Sequence, residues 1–434
     1  MTTTKPCNGM LASIRRGFSD YVKNVRLFSR NARLYLFGSF LIGVNFQVFQ
    51  LLLNLYLKEL GFLEGDIGRV LSSRAIGMTL IAIPAALILS RIRLKPILLG
   101  SCVLFAVFSF FITSYETLIL LMGFAMLGGM AVTFYQVAAA PFYMRNSTPP
   151  ERTHLFSFSF GTMLLAGMIG SVTSGKIVTV LADVTGDMVL GYRYTLYMAI
   201  AVGLLALIPF MMIRSSRPSP EEDRISLNMA QLRRRGKFYF KISISNFLVG
   251  MGAGLIIPFL NLYFRDRFHL QPDTIGLFYF LVHFSMFSGI LSGPILAKKL
   301  GLVRTVVITQ LASLPFMLIL SYTYTLPLAV VAFIVRGGLM NLGQPIVTNF
   351  GMEVAEKREQ GLVNALLAVA WTSSWMISAA VGGKLIEEYG YTFTMNLTII
   401  LYIISTFTFF FFFRKGERKT KSLPRWEIVR ENVS

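Results

Sequence analysis

The chain reads as an all-α membrane protein, with 12 transmembrane helices in two pseudo-symmetric six-helix bundles, on three observations. Apolar stretches of about 20 residues, each long enough to cross a hydrocarbon core of about 30 Å, recur along nearly the whole length. Local patterns return at a nearly constant offset of about 207 residues, as two copies of one structural unit would produce. One substantial polar linker falls where that offset ends the first copy. Composition excludes the soluble classes: charged residues make up 14% of the chain, against about 25% in a soluble domain, and hydrophobic residues 54%. The apolar runs are continuous rather than alternating, which excludes a β-barrel.

The elements follow in order. Residues 1–33 form a basic prelude in which Leu11, Ile14, Phe18, Tyr21, Val22, Val25 and Phe28 recur at helical spacing. Arg15, Arg16, Lys23 and Arg26 lie between them, which predicts an interfacial helix on the inner leaflet, with a basic tail as the alternative. Basic residues interrupt the first thirty positions, so no secretory signal is expected and the first span acts as its own insertion signal. Residues 34–213 form the first bundle, with spans at 34–57, 67–90, 95–114, 118–143, 155–178 and 193–213. The linker, 214–237, holds Glu221, Glu222, Asp223 and the Arg233-Arg234-Arg235 run. Residues 238–413 form the second bundle, with spans at 239–263, 274–297, 303–322, 327–351, 361–384 and 392–413. Phe409 to Phe413 read as lipid-facing bulk, and 414–434 as a basic cytoplasmic tail.

The repeat is carried by four pairs. Asn54-Leu55-Tyr56-Leu57 returns as Asn261-Leu262-Tyr263-Phe264, and Asp66-Ile67-Gly68 as Thr274-Ile275-Gly276. Gln136 returns as Gln344, and Gly175-Lys176 as Gly383-Lys384.

The formal net charge of +20 is an orientation signal. With both termini inside, the great majority of the 41 Lys and Arg fall on cytoplasmic segments, the positive-inside bias. This predicts contacts with the anionic inner leaflet rather than with nucleic acid. The expectation is an integral protein of the cytoplasmic (plasma) membrane, with cytoplasmic termini and a monomeric state. Cys7 and Cys102 are the only cysteines, one in the tail and one within a span, so neither a disulfide nor a metal site is expected. Ser174-Gly175-Lys176 lacks the glycine spacing and the following hydroxyl of a phosphate-binding loop, so no nucleotide or other cofactor is expected.

Six plus six spans about a charged central loop resemble the major facilitator superfamily. Asp66-Ile67-Gly68 looks like that family's start to helix two, and Gly191-Tyr192-Arg193 like its start to helix six. The resemblance covers roughly residues 34–413 and implies a secondary transporter working by alternating access. It also implies gating loops after the second and eighth spans, here Arg91, Arg93 and Lys95, then Lys298, Lys299 and Arg304. In the family an acidic residue of that loop pairs across the cytoplasmic face, whereas here the position holds Ser90 and Lys298. Two marks of proton-driven drug exporters are also missing. The fourth span has no charge between Gly123 and Tyr135, and the fifth has Gly161, Gly167, Gly170 and Gly175 without proline.

Candidate site residues come from a short census at bilayer depth. All 21 acidic residues fall in loops, tails or helix ends, leaving Arg74, His283 and Arg336 as the ionisable groups within spans. Arg336 sits about 14 Å deep, where a charge needs a water-filled cavity or a partner. An anionic substrate group is one reading; a bond to backbone carbonyls or Asn341 is the other. Arg74, about 10–12 Å deep, either shares the cavity or snorkels outward. His283, about 14 Å deep, either couples a proton or packs. Gln47, Gln50 and Asn246 offer donors and acceptors to a solute, or act as interhelical glue. Trp371 and Trp375, four apart on one face, either stack a flat or cationic ligand or pack the core. Nothing at depth resembles a catalytic constellation, so an enzyme is not expected. The leading reading is a transporter of a small organic solute, with an anion as one version. A proton-linked exporter of amphipathic compounds and a non-transporting receptor on the same scaffold remain as alternatives.

Overall fold

The computed structural model describes residues 28–147, 149–214, 236–354 and 360–422, and helices account for nearly all of them. The expected prelude helix, most of the linker and the end of the tail lie outside these residues. The first half contains α1 (Arg30–Glu59), α2 (Glu64–Arg91), α3 (Leu94–Ser114), α4 (Leu118–Arg145), α5 (Pro149–Thr185) and α6 (Met188–Leu205, extended by Leu207–Met212). The second contains α7 (Gly236–Ile256, continued by Leu260–Phe268), α8 (Pro272–Leu300), α9 (Leu302–Tyr322) and α10 (Leu326–Val354). Gln360–Ser422 runs helically except at Gly390, whose φ of 78° breaks the ladder into α11 (360–389) and α12 (391–422). Its apolar part, Ala365–Arg414, has 50 residues, and at 1.5 Å each it would be far too long for one crossing. Gly390 therefore turns it into two spans, completing the 12.

Proline explains where two spans depart from the expected continuous helix. The ring of Pro209 opposes the carbonyl of Leu205, and α6 breaks at Ala206. Pro258 sits in a single 3₁₀ turn, Ile257–Phe259, that divides α7. Downstream, the Leu262 amide donates to the Asn261 side chain at 2.9 Å. The Pro258 carbonyl is thereby left open to a partner from the other half.

The cores reveal the shape. One large cluster joins both halves at the end away from the termini, holding Leu51 to Leu53, Leu55 to Leu57, Phe259, Leu260 and Leu262 to Phe264. At the terminal end the core divides in two. Tyr35, Phe142 and Phe210 anchor one cluster in the first half, while Tyr239, Val303 and Phe413 anchor another in the second. Among the described residues the halves are thus joined at one end and parted at the other. Phe409 and Phe413 belong to the second of these clusters, which corrects the reading of the five-phenylalanine run as wholly lipid-facing. Phe407 and Phe411, on the opposite helix face, point outward, among the exposed apolar residues that would meet lipid.

The sequence repeat marks the seam. Across it α2 packs on α11 and α5 packs on α8. A Cβ on Gly68 would stand 2.5 Å from the Ala379 carbonyl oxygen and 3.2 Å from the Cα of Gly383. Gly276 lies against Ser171 and Gly175 in the same way. Each copy of the first glycine motif therefore meets the other half's copy of the second. The asparagines reciprocate too: Asn54 Nδ2 donates to the Pro258 carbonyl and Asn261 Nδ2 to the Leu51 carbonyl, both at 2.6 Å. Tyr56 and Tyr263 likewise donate to matched carbonyls within their own halves, Thr113 at 2.8 Å and Leu320 at 2.7 Å.

Candidate functional site

Where the halves part, they enclose a cavity of about 500 Å³, within the range of small-molecule sites. Phe46 and Gln50 reach it from α1, Arg74 and Met78 from α2, and Gln136 from α4. Asn246 comes from α7, Val347 from α10, and Leu367, Trp371, Thr372 and Trp375 from α11. Among the described residues Arg74 is the only charged one in the lining, and none of them brings a carboxylate to it.

The Arg74 guanidinium lies 4.7 Å from the centre of the Phe46 ring, which holds its plane. Its Nη2 is buried without a hydrogen-bond partner. Gly129 makes room for this arrangement, since α4 passes close to the backbone of Arg74 there. On the opposite wall the Trp371 and Trp375 rings lie 6.0 Å apart at 40°. Trp375 Nε1 is a second buried donor without a partner. Asn246 Nδ2 donates to the Leu367 carbonyl at 2.8 Å, tying α7 to α11 and leaving its own oxygen free to accept.

Two of the sequence candidates pair with each other instead of lining the cavity. His283 Nδ1 lies 2.6 Å from the Tyr279 carbonyl, so it is the donor there, and Nε2 accepts from Gln47 Nε2 at 3.1 Å. The pair links α1 to α8 across the seam. A Cβ on Gly167 would meet Gln47 at 2.6 Å and His283 at 2.7 Å. Gly167→Ala is therefore expected to break the link and lower the melting temperature by about a degree, an interhelical bond being worth about 0.6 kcal/mol. Thermal unfolding of the purified chain checks this, and an unchanged midpoint would remove the link from the seam's stability.

Arg336 is buried inside the second half. Its Nη2 bonds the Tyr402 hydroxyl at 3.1 Å, the guanidinium lies 5.7 Å from that ring's centre, and Nε has no partner. Asn341 donates to Gly337 instead, at 3.0 Å. Of the loop cations, Arg93, Lys298, Lys299 and Arg304 are exposed at the parted end, and Lys95 donates to the Met211 carbonyl. The Arg91 side chain, like that of Gln344, lies outside the description.

The joined end holds groups that sequence reasoning left without a role. Arg265 pairs with Glu59 across the seam at 2.5 Å, and Glu387 accepts from the Gly65 amide at 3.0 Å. Ser72 accepts from the Ala380 amide at 2.8 Å. The repeated Asn-Leu-aromatic motif was the signal that this region is special. Glu59 is expected to matter most here: Glu59→Gln leaves Arg265 half-buried beside Asp266 alone. The loosened end should label faster at an engineered Gln50→Cys with an outside thiol reagent, and unchanged labelling would exclude the pair from the closure.

The comparisons agree with this geometry. The family model of the Major Facilitator Superfamily matches residues 35–240 and 242–432. No curated protein matches. Among solved structures, a bacterial homolog of the human lysosomal transporter Spinster, inward-facing and unoccupied, superposes with a TM-score of 0.74 at 11% identity, covering 88% of this chain and 96% of that one. The nucleoside transporter NupG gives 0.72 at 14%, covering 89% and 99%. The D-xylose-proton symporter gives 0.71 at 13%, covering 90% and 97%. At these identities the likeness speaks for the fold.

Proposed function

The chain belongs to the major facilitator superfamily, and from that premise we propose that it is a secondary transporter carrying a small organic anion across the plasma membrane by alternating access. The observation that carries the anion is Arg74: one unpartnered cation, with no carboxylate among the described residues of the lining, on the wall of a cavity between two halves. A buried charge without a counter-ion is costly, and an anionic solute supplies one. Cations are disfavoured by the same charge. With both termini cytoplasmic, as the basic segments suggest, the parted end faces the cytoplasm and the form described is inward-open. Substrate gradients supply the energy, the protein acts as a monomer, and its basic segments rest on anionic inner-leaflet lipid.

The test is thermal stabilisation of the purified chain by a panel of organic anions, organic cations, sugars and neutral drugs, followed by counterflow in proteoliposomes. Stabilising anions that also show saturable counterflow support the reading. Stabilisation by cations alone overturns the anion, and binding without counterflow favours a receptor.

A second reading, in which a proton gradient supplies the energy in place of the substrate gradient, rests on the Gln47–His283 link. Protonating His283 Nε2 turns it from acceptor to donor, so Gln47 must turn its amide to offer Oε1 and the α1–α8 link is remade. His283→Gln keeps a bonding side chain without the titration. Proton-driven accumulation should then fail while counterflow persists; accumulation that survives assigns coupling elsewhere.

A further inference from the structure

We propose that the transported anion carries a planar aromatic ring, and that the two halves divide its recognition, the first binding the charge and the second the ring. This rests on the anion reading and narrows it. The argument begins with what the walls offer. On the first half Arg74 presents a guanidinium whose Nη2 has no partner, already braced against Phe46. On the second half, α11 presents two indoles on successive turns, tilted 40° to each other with centres 6.0 Å apart. That separation is at the outer range of direct aromatic contact, and the tilt keeps the rings from stacking face to face. Flat surface is therefore left for a third ring.

The remaining polar atoms point the same way. Two residues of the lining, Arg74 and Trp375, one on each half, each carry an N–H donor, Nη2 and Nε1, that lies covered just behind the cavity surface without a partner. A solute toward which both side chains turn brings acceptors: a negatively charged group for the first and a ring substituent or ring nitrogen for the second. A polyhydroxylated solute needs many paired donors and acceptors, but Asn246 offers chiefly its oxygen, its amide already donating to Leu367, and Thr372 donates to the Ala368 carbonyl at 3.1 Å. Gln50 and Gln136 remain as amide contacts at the cavity edge. One cation among the described residues of the lining matches a single negative charge, so the class is an aromatic or heteroaromatic monoanion. Because its charge and ring sit on different halves, such a solute is held fully only while both walls face it.

Three probes of one size separate the parts of this proposal: 2-naphthoate, its saturated decahydro analogue and 2-naphthamide. Isothermal titration of the full chain in detergent is expected to rank naphthoate about tenfold tighter than the saturated acid and at least tenfold tighter than the neutral amide. Trp371→Phe keeps a ring and should preserve the aromatic preference, whereas Trp371→Leu should erase it without weakening the saturated acid. If the saturated acid binds as well as naphthoate, the ring proposal fails and the anion reading stands. If the amide binds as well as the acid, the anion reading fails. If none of the three binds at millimolar concentration, both fail.

Discussion

Replacing Gly68 with leucine is expected to open the joined end, so that a cysteine at Gln50 becomes reactive to a membrane-impermeant thiol reagent from the outside. The contacts allow no easier relief. A Cβ there would stand 2.5 Å from the Ala379 carbonyl and 3.2 Å from the Cα atoms of Ala380 and Gly383, all backbone of α11. Rotating a side chain does not remove a backbone clash; α2 must leave α11. Overpacking of this kind costs about 1–3 kcal/mol, borne only by the conformation in which the two helices touch. Since about 1.4 kcal/mol is tenfold in an equilibrium, the population should shift by roughly 5- to 150-fold toward the outward-open form. Gly276→Leu should do the same at the α5–α8 contact, and the double variant should approach the sum, the two contacts sharing no residue. Cys7→Ser provides the background, because Cys102 is buried. A folded Gly68→Leu chain whose labelling matches wild type would refute the seam's role.

Arg74→Gln and Arg336→Gln should separate in opposite directions. On the proposed reading, losing Arg74 removes a charge-assisted bond to an anionic solute, worth about 1.5–3 kcal/mol, so anion affinity should fall roughly 10- to 150-fold. Thermal stability of the empty chain should hold or rise, because an unpaired buried cation is gone. Arg336 is bonded to Tyr402 inside the second half, away from the cavity lining. Its loss strands that hydroxyl and should lower the melting temperature while leaving anion affinity within about twofold, a stranded buried polar group costing about 1–3 kcal/mol. Titration and thermal unfolding of both variants decide the matter. An affinity loss confined to Arg336→Gln would move the anion site to α10.

The contrast between these arginines shows where sequence reading stops. Span number and order are legible because hydropathy reports depth, and the broken stretch at Gly390 was separable on length alone. Depth says nothing about rotation around the helix axis. Arg74 and Arg336 have similar depth, yet one opens on the cavity and the other on Tyr402. Gln47 and Gln50 share a face by spacing, but that face straddles a boundary: Gln50 lines the cavity and Gln47 turns to His283. Trp371, Trp375 and Asn246 come together at the cavity with Gln50 and Arg74, while His283 and the loop cations lie apart from it. Glu59 and Arg265 read as unremarkable helix-end charges, because their pairing exists only once the two halves meet.

The seam has one more property. Asn54 reaches Pro258 while Asn261 reaches Leu51, and Gly68 meets Gly383 while Gly276 meets Gly175. Residue i touches j′ and j touches i′, which is the grammar of an isologous interface between identical subunits. Each half thus carries both complementary faces of its own partner surface. A single unduplicated six-helix unit would already have been able to pair with a copy of itself about this axis, and the linker had only to make permanent an assembly that its two parts were shaped to find.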